Sequence, residues 1–311
     1  MSEKYRLVTR SDFDGLVCAA LLKEMDMVDD ILFVHPKDMQ DGKIDIGARD
    51  ITANLPFVPG AAMVFDHHAS ETGRVDAVGE STTYINIADA PSAAQVIYQH
   101  FGSDSRFQKV NADMMAAVNK ADSAQFSEKD ILNPEGWELL SFLMDSRTGL
   151  GRFRTFRISN YQLMMELIDM LLETSIEDIL DHPDVKERVE VYKDHQEKHK
   201  EQIKRCSKVH SNLVVVDMRE EETIYAGNRF VVYGLYPWIN ISATVLWGLK
   251  KQNVVFAIGK SIINRTSQTN VGELCLKYGG GGHVAAGTCQ IPTPEAEKVM
   301  EELVTQITKD G

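Results

Sequence analysis

Asp12 and Asp14 stand two residues apart at the end of an apolar run, and Asp66-His67-His68 stands at the end of another. Asp50 lies between them in Arg49-Asp50-Ile51-Thr52, and Asp122 follows an apolar helical stretch. Hard divalent cations take oxygen ligands, and a bridged pair of ions needs several carboxylates converging from separate segments. Taken singly, each residue has a plainer explanation. Asp12 or Asp14 would cap a helix starting near Gly15, Asp50 suits a turn and Asp122 a helix terminus. Five acids and two histidines at element ends in one part of the chain are harder to account for that way. Near the other terminus, Gly279-Gly280-Gly281-Gly282 has no side chains to keep a phosphate from backbone N–H groups, and His283 adds a donor. A carboxylate-rich metal centre together with an anion platform is equipment for cutting a phosphorus–oxygen bond.

Such groups need elements that bring them to one place. Residues 5–9, 31–34 and 61–65 predict strands, and residues 15–25, 91–101 and 110–121 predict helices. This alternation implies a parallel sheet with crossover helices. Its ligand site should lie beyond the carboxyl ends of the strands, where Asp12 and Asp14 follow the first strand and Asp66 to His68 the third. Leu163, Met164, Leu167, Ile168, Leu171 and Leu172 form an apolar stripe on a further helical stretch, 161–182. The charged segment that follows carries Val189, Tyr192, Gln196, His199, Ile203 and Cys206 at steps of three and four, the narrow seam of an otherwise exposed helix. Residues 212–216 and 254–258 predict strands of a second part. The expectation is an α/β protein of two domains: an N-terminal parallel-sheet domain over 1–184, a linker helix over 185–208, and a smaller C-terminal α/β domain over 209–311.

With 311 residues, 43% of them hydrophobic and 25% charged, the chain has the composition of a globular protein large enough for two cores. Its net charge of −13 argues against a long duplex nucleic acid gripped along a basic face. A short anionic substrate in a local pocket is compatible, because a bound metal supplies positive charge there. The four cysteines are scattered and read as reduced thiols, and the N-terminus carries no apolar signal core, so a cytoplasmic protein is expected. The uncharged stretch 230–249 holds Gly234, Pro237, Asn240 and Ser242. It reads as two buried strands, or a strand and a helix start, rather than a membrane span.

Asp66-His67-His68 and Gly280-Gly281-Gly282-His283-Val284-Ala285-Ala286-Gly287 together resemble the signatures of the DHH family of phosphoesterases, with its DHH-associated domain at the C-terminus. The likeness covers nearly the whole chain. It implies a centre of two manganese ions, with a single ion or magnesium as alternatives. Asp12 would bind the first ion and Asp14 the second, Asp50 would bridge both, and His67 and Asp122 would complete the second. Asp66 would orient the ligands, and His68 would contact the substrate phosphate. In the second domain Arg265, Gly280, Gly281, Gly282 and His283 would bind phosphoryl oxygens, and a loss of Asp50 should abolish turnover. One departure stands out: relatives often carry H-x-D-x-D at the first motif, whereas here Val8, Thr9, Arg10 and Ser11 precede Asp12. The first ion lacks its usual imidazole, and Arg10 would place a fixed positive charge near the substrate.

The implied activity is a metal-dependent phosphohydrolase that directs activated water onto a short oligonucleotide or nucleotide. Tyr236, Trp238 and Tyr278 are candidates to stack on a base. An exopolyphosphatase-like reading rests on Arg147, Arg152, Arg154 and Arg157, a cluster that would suit repeated phosphates. A non-catalytic nucleotide-binding module is the remaining alternative, and the seam of the linker helix leaves a homodimer open. His195 and His199 have a zinc-like spacing on that helix but no third ligand in view.

Overall fold

The computed structural model describes residues 4–67, 83–87, 89–153 and 155–311. The chain forms two compact units, one of Met1–Gln125 with Pro134–Glu190, the other of Phe126–Asn133 with Val191–Gly311. A 24-residue helix, Pro183–Cys206, carries the chain from the first to the second.

In the first unit five strands form an all-parallel sheet. They are β1 (Tyr5–Arg10), β2 (Val28–Val34), β3 (Asp50–Ala53), β4 (Met63–Asp66) and β5 (Thr83–Asn86), in the order β2-β1-β3-β4-β5. Sequence pattern alone anticipated β1, β2 and β4. It missed β3 and β5, four-residue strands whose polar members Asp50, Thr52 and Asn86 break the apolar run. After β1 the chain adds β2 on one side and then β3 on the other. This reversal of winding opens a crevice beyond the carboxyl ends of β1 and β3.

The helix Phe13–Glu24 begins at that crevice. Every residue from Phe13 to Leu22 is buried, so it is a central helix surrounded by protein rather than an amphipathic surface one. It packs against β1 and the helices Ala93–His100, Ala112–Asp122, Gly136–Met144 and Asn160–Glu173. Gly15 makes the tight strand-to-helix turn possible, because a Cβ there would run into the carbonyl oxygen of Arg10. The predicted helical stretch 161–182 is two helices, Asn160–Glu173 and Ile176–Asp181. The break falls where Thr174 turns extended after the first helix and Ser175 caps the second by accepting the amide of Asp178.

The second unit holds a six-stranded mixed sheet. Its strands are β6 (Ser207–His210), β7 (Leu213–Asp217), β8 (Ile241–Trp247), β9 (Asn253–Lys260), β10 (Gly281–His283) and β11 (Ala286–Pro292), in the order β10-β11-β9-β8-β7-β6. Only β7 and β8 pair in parallel. The core lies between the sheet and the helices Val271–Leu276 and Ala296–Asp310, where Leu213, Val245, Val254, Val271 and Ile307 are fully enclosed. The uncharged stretch 230–249 is a short helix, Val231–Leu235, followed by β8. No helix among the described residues is long and apolar enough to cross a membrane.

Candidate metal centre

Three side chains converge at the carboxyl end of the first sheet. A carboxylate oxygen of Asp14, a ring nitrogen of His67 and a carboxylate oxygen of Asp122 all lie within 4.8 Å of one another. Each arrives from a different element. Asp14 is in the first turn of the helix after β1, His67 directly follows β4, and Asp122 ends the helix Ala112–Asp122. Asp14 is buried, and its carboxylate accepts the amides of Ala93 (3.0 Å) and Ala94 (2.9 Å) at the start of the helix Ala93–His100. A helix N-terminus favours negative charge, so this contact fixes Asp14 in place. Asp122 has the opposite setting. It sits at a helix C-terminus, where a carboxylate opposes the dipole and needs a cationic partner.

His67 supplies part of that partner. Its Nε2 lies 2.9 Å from Asp122 Oδ2, and its Nδ1 lies 3.1 Å from the carbonyl oxygen of Ala90. A backbone acceptor at Nδ1 holds the N–H there and leaves Nε2 for Asp122 or a metal. Burial, followed by repulsion from Asp122, pushes Asp14 up to about 8. Burial alone would lower His67, but its bond to Asp122, the charges of Asp122 and Asp14 and the contact with the Ala90 carbonyl together raise it to about 9. Crowded against Asp122, Asp14 and His67 hold their protons for lack of stronger positive charge. Such a donor set suits a divalent cation.

Asp12 is close by but differently engaged. Its Oδ1 accepts the amide of Gly15 (3.0 Å) and the side-chain amide of Asn54 (3.3 Å), while Arg10 Nε pairs with its Oδ2 at 2.8 Å. Burial raises its pKa, Arg10 opposes the rise and Asp122 adds to it. Arg10, expected near the substrate, is thus spent at least partly on Asp12. Arg147 pairs with Asp145 at 2.7 Å and also feels the charges of Asp12 and Asp122, which places one member of the arginine cluster beside the centre. Arg157 instead pairs with Asp184, and Arg154 lies outside the described residues. Glu166, His182 and Asp184 form a second group of ligand-type atoms, but Asp184 already serves Arg157.

The expected bridging role of Asp50 does not fit this geometry. Asp50 opens β3, opposite Arg6 at the amino end of the sheet, where Arg6 Nε and Nη2 bind its two oxygens at 2.7 and 2.9 Å. The amide of Gly47 donates to it as well (2.7 Å). At roughly 3.3 Å per residue, the strand separates it from the crevice by on the order of 13 Å. The residue at the carboxyl end of β3 is Asn54, buried and in the left-handed region at φ +53°. Sequence reading passed over it because nothing local tells which end of so short a strand faces the crevice. Asp66 is fully buried at the end of β4, accepts the amide of His67 (2.8 Å), and so shapes the turn that aims His67. His68 lies outside the described residues.

The glycine run of the second unit is not a helix or a free loop. Gly281 to His283 form the edge strand β10, paired with β11 as Gly281↔Thr288, Gly282↔Gly287 and His283↔Ala286. A Cβ at Gly280 would strike the carbonyl of Thr288, so that glycine answers to backbone packing. Gly281 is exposed, and a Cβ there would meet open space. In a neighbouring loop Arg265 Nε donates to the carbonyl of Ile262 (3.1 Å), and Asn264 Nδ2 donates to the carbonyl of Trp238 (2.9 Å). Trp238 is 61% exposed and meets Tyr236 edge-on at 5.5 Å between ring centroids. Tyr278 packs on the core and its hydroxyl donates to Glu302 (3.0 Å). His195 Nδ1 accepts the amide of Ala226 (3.2 Å), which gives that histidine a packing role.

Comparison with solved structures gives a specific relative. The pGpG-specific phosphodiesterase PggH from Vibrio cholerae is 58% identical, over 99% of this chain and 100% of that one, with a TM-score of 0.87. A DHH domain from a protein described as a member of a ribosomal-protein family matches at 13% identity over 98% of this chain and 87% of that one, TM-score 0.56. RecJ from Thermus thermophilus in complex with Mn2+ matches at 12% identity over 98% of this chain and 52% of that one, TM-score 0.52. The last two likenesses are of fold. No family model and no curated protein matches the chain.

Proposed function

Since this chain belongs to the DHH family of phosphoesterases, we propose that it is a metal-dependent phosphodiesterase of short oligonucleotides, with the dinucleotide pGpG as its foremost substrate. The observation that carries this reading is the convergence of Asp14, His67 and Asp122 at the carboxyl end of the sheet, in a chain 58% identical to a pGpG phosphodiesterase. Those three residues would hold Mn2+ or Mg2+, which supplies Lewis acidity and activates water when bound. The chain's own groups do the rest. The helix start at Ala93 and Ala94 keeps Asp14 aimed, and the Ala90 carbonyl keeps His67 turned with Nε2 inward. Arg147 beside the centre would offset charge that grows on the phosphoryl oxygens in the transition state. His68, Arg265, Gly281 and His283 would bind the substrate's phosphates, and Asp66 would act through the position of His67.

Trp238 favours a nucleotide over polyphosphate. Its exposed ring meets Tyr236 edge-on and its backbone carbonyl accepts from Asn264, the residue before Arg265, so a stacking surface would adjoin the arginine proposed to hold a phosphate. Of the arginines that would have gripped a phosphate chain, Arg157 is paired with Asp184 and Arg147 with Asp145. The test is to incubate the protein with Mn2+ and, in parallel, pGpG and medium-chain polyphosphate. Release of mononucleotide from pGpG, with polyphosphate untouched, is expected. Phosphate release from polyphosphate alone would overturn the reading.

A further inference from the structure

The residues of a first ion site do not fit a cation as those of the second do. The carboxyl end of β3, where a bridging carboxylate would have to stand, carries Asn54, which turns its N–H toward Asp12 Oδ1 at 3.3 Å. An amide in that orientation serves an anion and offers no negative charge to a metal. The position two residues before Asp12, where relatives often place histidine, carries Arg10, whose Nε lies 2.8 Å from Asp12 Oδ2. The Gly15 amide occupies Oδ1 as well. Both oxygens of Asp12 therefore face N–H donors, and Arg10 and Asp12 together are neutral. Asp14 and Asp122 each offer a carboxylate oxygen beside one imidazole, and Asp12 is not part of that group among the described residues.

We infer that this centre holds a single divalent ion, on Asp14, His67 and Asp122, and that the Arg10 guanidinium takes the place of the second ion as a covalently attached cation. The inference rests on the proposed phosphodiesterase activity for its substrate only; the ion count stands apart from it. A guanidinium keeps its charge at every working pH and offers forked donors that suit phosphoryl oxygens. It cannot ligate water, so activation of the nucleophile falls to the one ion. Arg10 and Asn54 form a matched set: the arginine supplies the charge an ion would have brought, and the amide removes the carboxylate that ion would have needed.

Metal-free protein titrated with MnCl2, with bound metal counted by equilibrium dialysis and element analysis, should take up one tightly held Mn2+ per chain. Its Mn2+ electron paramagnetic resonance spectrum should be that of an isolated ion. Two equally tight ions, or a spin-coupled spectrum, would overturn the inference. The double variant Arg10→His with Asn54→Asp should bind two. If it folds and still binds one, Arg10 and Asn54 are not what excludes the second ion. Should the double variant fail to fold, Asp122→Ala decides the matter: tight binding should vanish, and retention of one tight ion would place it on Asp12 and overturn the inference. One bound ion without pGpG hydrolysis would strike the proposed activity alone. Two bound ions with hydrolysis would strike this inference alone.

Discussion

An arginine and an aspartate meet at each end of the first sheet: Arg6 and Asp50 across the parallel neighbours β1 and β3, Arg10 and Asp12 within β1 and the turn that follows it. At the amino end Arg6 binds Asp50 through two nitrogens, at 2.7 and 2.9 Å. At the carboxyl end Arg10 pairs with Asp12 at 2.8 Å. Residue types and distances are alike, and the surroundings are not. Asp50 is buried among donors that satisfy it, Arg6 and the amide of Gly47. Asp12 also has its donors, but it shares the crevice with Asp122, Asp14 and His67, and its charge is felt by Arg147. An ion pair is a fastening at one end of the sheet and part of a reactive cluster at the other. The distinction comes from the direction of the strands, since in this winding the turns that carry Asp14 and His67 both open at the carboxyl end.

The sharpest way to break this comparison is to remove an acid from each end. Asp122→Ala or Asp14→Ala should lower turnover of pGpG by roughly 100-fold or more, since even partners behind the ligands of metal sites are worth about 10–100-fold. The arginines give the next contrast. Arg10→Ala should lower kcat/KM by on the order of 100-fold, as expected for loss of a charge aimed at the reacting phosphoryl group. Arg6→Ala should leave kcat/KM within about twofold, because Arg6 contacts only the far end. Equal losses in the two arginine variants would mean that the ends of the sheet are not functionally distinct.

A pH titration separates the ends without mutation. In the metal-free protein Asp14 is raised from 3.8 to about 8 and His67 from 6.5 to about 9, so both hold protons more tightly folded than unfolded. The stability contributed by charged His67 is fully present below its unfolded value and is lost as pH rises through about 9. Asp14 works in the same direction, as the folded state becomes less favourable between 3.8 and about 8. Thermal unfolding of metal-free protein should therefore occur at lower temperature as pH increases over this window. Mn2+ competes with those same protons, so its affinity should tighten as pH rises toward about 9. Calorimetric Mn2+ titrations at several pH values, and melting curves without metal, check both signs; a pH-independent affinity would break the assignment of Asp14 and His67 as ligands.

The smallest effect on catalysis is expected at Asp50. Asp50→Asn should keep turnover near normal while costing about 1–2 kcal/mol of stability, because the Arg6 charge and the Gly47 amide lose a charged acceptor but Arg6 remains partly solvated. A shift in the urea midpoint with unchanged kcat is the expected result. A collapse of kcat in folded protein would return Asp50 to the centre.

Much of the arrangement is legible in local sequence. Asp12-Phe13-Asp14-Gly15 after an apolar strand announces a strand-to-helix turn, and Gly15 sits where a side chain would strike the backbone of Arg10. Asp66-His67 after Val64-Phe65 announces the end of β4, and Asp122 the end of a helix. These are short-range signals, set by hydrogen bonding and sterics within a few residues, so the chain alone specified an α/β fold with its acids and histidine at element ends. The departure at Arg10 is legible there too, as a change of residue type within the first motif.

The partner of that departure is not. Asp-Ile-Thr-Ala is too short and too polar to mark itself as a strand, and an aspartate before it looks a better ligand than an asparagine after it. Only strand order and direction, with β3 beside β1 and parallel to it, put Asp50 opposite Arg6 and brought Asn54 to Asp12. The arginine cluster divided in the same way: close in sequence, Arg147 and Arg157 went to different acids, Asp145 and Asp184. Local sequence determined which residues end strands and begin helices, because those choices depend on neighbours along the chain. The tertiary structure decided which of those ends meet, because a carboxylate's role depends on the charges packed around it from distant segments.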